Sequence, residues 1–295
     1  MRAVAPTRQG HSEADPRDAR PAGGGRNGVV RDADLPRARS MHVLDTRVDA
    51  TSYPDAVSRI MGWAHSGESR YVCVASVNNV MVGREDPGFR RIMNAADLVT
   101  PDGMPLVWAL RWLGIPTATR VRGTDLMSAI LVRAAAEGVP VGIYGGDPKT
   151  LEALVDRLRT RWPGLDVAYV HSPPFRGPSE AEDEELGRRV EGSGARILFV
   201  ALGCPKQETW MARHRDRVPA VLVGVGAAID FLAGTKRQAP RLLQDAGLEW
   251  LFRLAAEPQR LWRRYLKQNP AFMGLLALQI ARSRLRRSDD RKGSA

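Results

Sequence analysis

Three observations predict an α/β fold with a mostly parallel, Rossmann-like sheet and helices on both faces. Short apolar runs rich in β-branched residues recur at 71–77, 139–145, 166–170, 197–202 and 220–225. These runs are continuous instead of alternating, as in strands buried on both faces of a parallel sheet. Between them lie stretches with helical spacing, several opened by Gly, Pro, Ser or Asn. The clearest unit is Ala195–Trp210, A-R-I-L-F-V-A-L-G-C-P-K-Q-E-T-W. Its strand stops at Gly203, Pro205 suits the first turn of a helix, and Lys206, Gln207 and Glu208 follow. Open α/β sheets bind ligands at such carboxyl ends of strands; three solvated helix residues are the plainer alternative.

With 295 residues, 43% of them apolar, the chain can hold one large domain or two small ones. A net charge of +11 points to polyanionic partners: nucleic acid, anionic lipid or phosphorylated substrates. Cys73 and Cys204 are far apart in sequence, which suits a reduced, cytoplasmic protein. No stretch approaches the ~20 consecutive apolar residues of a membrane span, and the N-terminus has no apolar signal region. A membrane would be met only from its surface.

Residues 1–40 are rich in Arg, Gly, Pro, Ala and Asp and read as a disordered tail. Asp32 and Asp34 form an Asp-x-Asp pattern there, read as two solvated acids, so no metal site is expected. Residues 41–245 form the α/β domain. His42–Leu44 suits a short strand and Tyr53–His65 a helix. The strand at 71–77 ends beside Ser76, Asn78 and Asn79, before a helix expected over 80–95; Asn there suits a helix cap. Leu98 and Val99 begin a short strand, Pro101-Asp102-Gly103 a turn, and an apolar helix follows to Leu113. Asp102 alone reads as a turn-and-cap aspartate.

Arg120 and Arg122 precede a helix running to Glu137. An arginine in that place can reach a phosphate, and Arg120 is the preferred one. Gly145 and Gly146 join a strand to the helix at 149–162, a turn that lets a ligand approach the backbone at a helix N-terminus. Ser179 caps a helix with an acidic first turn, a solvated face. Gly224-Val225-Gly226-Ala227-Ala228-Ile229-Asp230 half-matches the dinucleotide fingerprint, but Ile229 replaces the third glycine.

Residues 246–295 form a basic helical appendage. Arg253, Arg260, Arg263, Arg264 and Lys267 recur among Leu254, Leu261, Trp262 and Leu266, Pro270 interrupts the pattern, and an apolar run follows. A solvated basic face, a nucleic-acid surface and an interfacial helix on anionic lipid all fit. The last is favoured from about residue 258, because no nucleic-acid-binding motif is present.

L-F-V-A-L-G-C-P-K-Q-E-T-W, T-P-D-G at 100–103, R-V-R-G-T-D-L at 120–126, G-V-G-A-A-I-D at 224–230 and G-L-E-W-L-F-R-L at 247–254 together resemble the WecG/TagA/CpsF family of glycosyltransferases. The resemblance implies an inverting enzyme that moves a hexosaminyl-type sugar, such as N-acetylmannosamine, from a UDP-sugar to a polyprenyl-diphosphate-linked saccharide in cell-surface polysaccharide or teichoic acid synthesis. It implies Asp102 as catalytic base, Ser76 (more often Thr in the family) and Asn78 as donor contacts, and Gln207 as a sugar-orienting residue. It places Gly145 and Gly146 on the uridine and diphosphate side, makes Asp230 a candidate for contacts to the donor, and puts the appendage arginines, with Arg253, Arg260 and Arg263 the candidates, at the diphosphate.

Expected partners are the UDP-sugar, the lipid-linked acceptor and an anionic membrane surface, not nucleic acid; self-association into a homo-oligomer stays open. No cofactor or metal is expected, and the place is the inner face of the plasma membrane, peripherally bound. The alternatives are a non-catalytic basic lipid- or nucleic-acid-binding protein and a nicotinamide-dependent oxidoreductase. Zinc and serine-hydrolase chemistry lack their motifs.

Overall fold

The computed structural model describes residues 38–174 and 179–292. Most of the expected tail, with Asp32 and Asp34, lies outside the described residues. An antiparallel hairpin comes first: β1 (Arg39–Val43) and β2 (Thr46–Ala50), with Met41 opposite Val48. Leu44 and Asp45 join them at φ of 48° and 70°. Two successive positive φ values give the turn whose twist matches paired strands. The single short strand expected at 42–44 is thus a two-stranded hairpin, and β2 is hidden in the sequence because neither residue of this turn is the usual glycine.

The main body runs α1 (Tyr53–Ser66), β3 (Arg70–Ala75), α2 (Val77–Glu85), α3 (Pro87–Ala95), β4 (Leu98–Pro101), α4 (Met104–Leu113) and α5 (Gly123–Glu137). It continues β5 (Val141–Gly145), α6 (Pro148–Arg161), β6 (Val167–His171), α7 (Glu180–Ser193), β7 (Ile197–Ala201), α8 (Lys206–His214), β8 (Val221–Gly224) and α9 (Ala228–Ala233). The helix expected over 80–95 is two helices. Asp86 ends α2 and accepts hydrogen bonds from the N–H groups of Gly88 and Phe89, and Pro87 opens α3. Proline disfavours helical geometry in the residue before it, so Asp86 becomes a cap.

Strands β3 to β8 form one parallel sheet in the order β4-β3-β8-β7-β5-β6. Their side chains alternate between two apolar layers. Val72, Val74, Ile143, Phe199 and Val223 pack with apolar residues of α1, α5, α6 and α9. Tyr71, Cys73, Leu198, Val200 and Leu222 pack with those of α3, α4, α7 and α8 on the other face. Burial on both faces is why the strands read as continuous apolar runs. All six strands point the same way, so the carboxyl ends of β3, β4, β5, β7 and β8 share one edge.

Three helices close the chain: α10 (Arg241–Asp245), α11 (Glu249–Ala256) and α12 (Pro258–Lys292). The expected interruption at Pro270 does not occur, because α12 runs through it. An interior proline costs roughly 3 kcal/mol. Beyond it, Phe272 and Leu276 are fully buried in the layer that contains α4, and two such side chains contribute roughly 3–6 kcal/mol. Gln279 adds a clasp to the hairpin: its Oε1 accepts from Leu44 N–H (3.0 Å) and its Nε2 donates to His42 O (2.7 Å). The second half of α12 thus lies on the domain, against α2 and α4.

Candidate active site

A cavity of about 900 Å³ opens at the shared carboxyl edge of the sheet, between the strand ends and α11–α12. Its wall brings together Ser76, Asn78, Asp102, Arg120, Gly146, Gln207, Asp230 and Arg253 from seven separate stretches of chain.

Asp102 stands just past β4. Its N–H donates to Ala75 O (2.8 Å), and its Oδ1 accepts from Gly123 N–H (3.1 Å), the first residue of α5. The carboxylate therefore does bind a helix N-terminus, though not that of the helix that follows it, and it also faces the cavity. Burial pushes the Asp102 carboxyl above the usual range, and the negative charge of Glu249 adds to this. Arg253, Arg122 and the Gly123 N–H pull the other way without cancelling it. A carboxylate with raised proton affinity is a stronger base.

Glu249, the first residue of α11, belongs to the G-L-E-W-L-F-R-L block and carries no separate expectation from the sequence. It lies on the cavity wall, 3.5 Å from Arg122 and 3.7 Å from Arg253. Removing its charge lowers the pKa of Asp102. Glu249→Gln is therefore expected to move the acid limb of the kcat/KM profile to lower pH, and a pH series in a constant-ionic-strength buffer reads this.

At the end of β3, Ser76 caps α2, and Asn79 rather than Asn78 makes the cap contacts: its Oδ1 accepts from Ser76 N–H (3.0 Å) and Ser76 Oγ (2.9 Å). Asn78 is half-buried on the cavity wall. At the start of α8, Lys206 is exposed whereas Gln207 and Glu208 are buried. The solvated reading fails for these two. Gln207 Nε2 donates to Glu208 Oε1 (2.9 Å), while Gln207 Oε1 has no hydrogen-bond partner among the described residues.

The two glycines after β5 separate in role. A Cβ on Gly145 (φ +109°) would lie 2.5 Å from Ala201 O, so this glycine lets β5 and β7 close together and does not line the cavity. Gly146 (φ +82°) does line it, and a Cβ there would meet Ile229 Cδ1 at 2.4 Å. Asp230, on α9, is 3.7 Å from Lys236 Nζ, which also reaches Glu257, the residue just past the end of α11 (3.3 Å).

The two arginines before α5 both hold α10. Arg120 Nη1 donates to Gln244 O (2.7 Å), and Arg122 Nη1 donates to Gln244 Oε1 and to Asp125 (3.2 Å). Arg122, buried, is the more enclosed of the two. Of the appendage arginines, Arg253 lines the cavity with its guanidinium 5.2 Å from the Phe231 ring centre. Burial opposes its charge, but Asp102 and Glu249 outweigh this and hold its proton more tightly than usual. Arg263 is exposed and stacks on Trp262 (5.3 Å), away from the wall. The side chain of Arg260 lies outside the described residues. Among the described residues, no group of three or more His, Cys, Asp or Glu side chains has a metal-holding arrangement.

A family model, Glycosyl transferase WecG/TagA/CpsF family, matches residues 41–287. The chain belongs to this family. It is therefore a glycosyltransferase of cell-surface polysaccharide synthesis, working with a sugar donor and a lipid-linked acceptor. The match spans the hairpin, the sheet, the cavity and most of α12, so the WecG/TagA/CpsF unit includes the appendage that closes over Asp102. No helix among the described residues is long and apolar enough to cross a membrane.

Proposed function

We propose that the protein transfers a hexosaminyl-type sugar, of the N-acetylmannosamine kind, from a UDP-sugar to a hydroxyl of a polyprenyl-diphosphate-linked saccharide. The carrying observation is Asp102, a carboxyl of raised proton affinity on the wall of a 900 Å³ cavity that also holds Arg253. In the transfer, the acceptor oxygen attacks the anomeric carbon and its proton passes to the Asp102 carboxylate. The bond from that carbon to the diphosphate breaks on the opposite side, and its electron pair leaves with UDP. Attack opposite the leaving group inverts the anomeric centre.

Charge develops on the departing diphosphate. Arg253 and Arg120 supply positive charge from the wall, whereas the N-terminus of α6 behind Gly146 is already capped by the Asp147 carboxylate, which accepts from Thr150 N–H (3.0 Å). On this reading no metal is needed. Gly146 and Asp230 flank the nucleotide side, and Ser76, Asn78 and Gln207 orient the sugar.

The acceptor's lipid places the reaction at the inner face of the plasma membrane. Support comes from α10–α12, where Leu242 is 84% and Leu266 61% exposed, with Arg241 and Lys267 next to them. Trp262, Leu266 and Met273, all exposed, share one stripe of α12. Apolar side chains among basic ones suit anionic lipid, at about 1 kcal/mol per basic residue near the surface.

A panel of UDP-sugars, with a polyprenyl-diphosphate saccharide in anionic vesicles, tests the function by release of UDP. Acceptor-dependent release that survives EDTA is expected. Loss of release in EDTA would overturn charge compensation by arginine, and no release with any donor would overturn the proposed transfer.

A further inference from the structure

A chain of hydrogen bonds with a fixed direction runs from the end of β3 to the cavity. It starts at Ser76 N–H, a backbone group that can only donate, and this donates to Asn79 Oδ1 (3.0 Å). Asn79 therefore turns its Nδ2 outward, and that group donates to Glu208 Oε1 (2.8 Å). The same Glu208 oxygen accepts from Gln207 Nε2 (2.9 Å). Each link fixes the next, because a reversed amide would set two acceptor oxygens against each other. The chain ends on Gln207 Oε1, buried, without a partner, and beside Gly226, where an added Cβ would lie 3.6 Å away.

Glu208 is fully buried, and its own N–H and the Cys204 thiol also hydrogen-bond its carboxyl group. A buried carboxyl is costly to keep. Asn79 and Glu208 are 129 residues apart, so the contact joins α2 to α8 across the floor of the cavity. A leucine would fill the same space without the desolvation penalty. What it would not do is hold two amides in one orientation.

We propose that Glu208 is a positioning residue that locks the Gln207 amide, so that Gln207 presents its carbonyl oxygen to the cavity and selects a donor sugar offering an O–H or N–H group there. This rests on the cavity being the sugar-donor site. The ligand chemistry follows from the orphaned acceptor: a hydroxyl or an acetamido N–H completes it, whereas a fluorine or an ester oxygen leaves it buried and unpaired.

The test compares kcat/KM for the UDP-sugar that is turned over and for its monodeoxyfluoro analogues, with an ester-for-acetamide analogue where the sugar carries an acetamido group. For wild type, one analogue is expected to fall about 10- to 100-fold, the usual effect of leaving a buried acceptor unpaired. In Glu208→Leu the Gln207 amide can turn its NH₂ to the substituent. The preference for the natural sugar over that analogue is then expected to shrink to within a few-fold of one.

Glu208→Gln keeps an acceptor oxygen towards both amides and is expected to retain most of the preference. Glu208→Asp, which draws the carboxylate back by one methylene, is expected to be intermediate and serves if the leucine variant does not fold. A purely structural Glu208 would lower turnover of both sugars alike; an unchanged preference in the leucine or aspartate variant overturns the inference while leaving the glycosyl-transfer reading intact. Failure of wild type to turn over any UDP-sugar overturns both.

Discussion

Asp102→Asn is expected to fold, to melt at or above the wild-type temperature at pH 7, and to lose about 10²–10⁴-fold in kcat. The two halves of this result have one cause. Burial and Glu249 raise the Asp102 pKa in the folded protein. For a carboxyl raised in this way, the folded state binds its proton more tightly than the unfolded chain does. Its favourable contribution is complete below the unfolded pKa and is lost as pH rises through the folded pKa. At pH 7 the ionised group therefore works against folding, and a neutral amide removes that opposition. Asparagine can still accept from Gly123 N–H through its carbonyl oxygen, so the local turn survives. It cannot take the acceptor's proton. Thermal melting and steady-state turnover on one preparation check both halves, and near-native turnover would remove Asp102 from the role of base.

Arg253→Met is expected to lower kcat by about 10²–10³-fold, the scale of losing one preorganised charge-stabilising donor. Methionine keeps much of the apolar packing on Phe231 while removing the guanidinium. Arg253→Lys is expected to recover only part of the loss, because an ammonium lacks the planar fork that grips two phosphate oxygens. Two side effects separate this from general damage. Without the nearby positive charge, the Asp102 pKa rises further, so the acid limb of the pH profile moves to higher pH, opposite to the shift expected for Glu249→Gln. Affinity for UDP, measured by calorimetry, is also expected to fall in Arg253→Met; unchanged affinity and unchanged kcat would exclude the residue from the diphosphate.

The parts of this molecule that were legible in the sequence depend on local pattern. Five of the six strands of the parallel sheet announce themselves as apolar runs, β4 shows only as Leu98-Val99, and Gly203 and Pro205 mark the junction of β7 with α8. Asp86-Pro87 was a readable stop that helical periodicity over 80–95 masked. The turn at Leu44-Asp45 carries neither Asn nor Gly, so β2 was lost with it. Pro270 reads as a break, and only the burial of Phe272 and Leu276 against the domain carries α12 through it.

Among the residues at the cavity, Asp102, Gln207 and Arg253 were legible through resemblance to family blocks of sequence. Glu249 and Glu208 were not, because their roles arise from contacts distant in sequence. Glu249 matters when α11 folds over the end of β4, and Glu208 matters when Asn79 meets it. Gly145 and Gly146 look equivalent as neighbours, yet the alternating geometry at the end of β5 sets one against Ala201 and the other against Ile229 on the cavity wall.

The anomeric configuration of the transferred sugar tests the role of Asp102 most directly. Product formed by wild type from a donor of known configuration can be isolated and its anomeric proton coupling read by NMR. Inversion is expected, since a single displacement with Asp102 taking the acceptor's proton allows no other outcome. Retention would require a covalent or front-face route, and would contradict Asp102 as the base of a direct transfer.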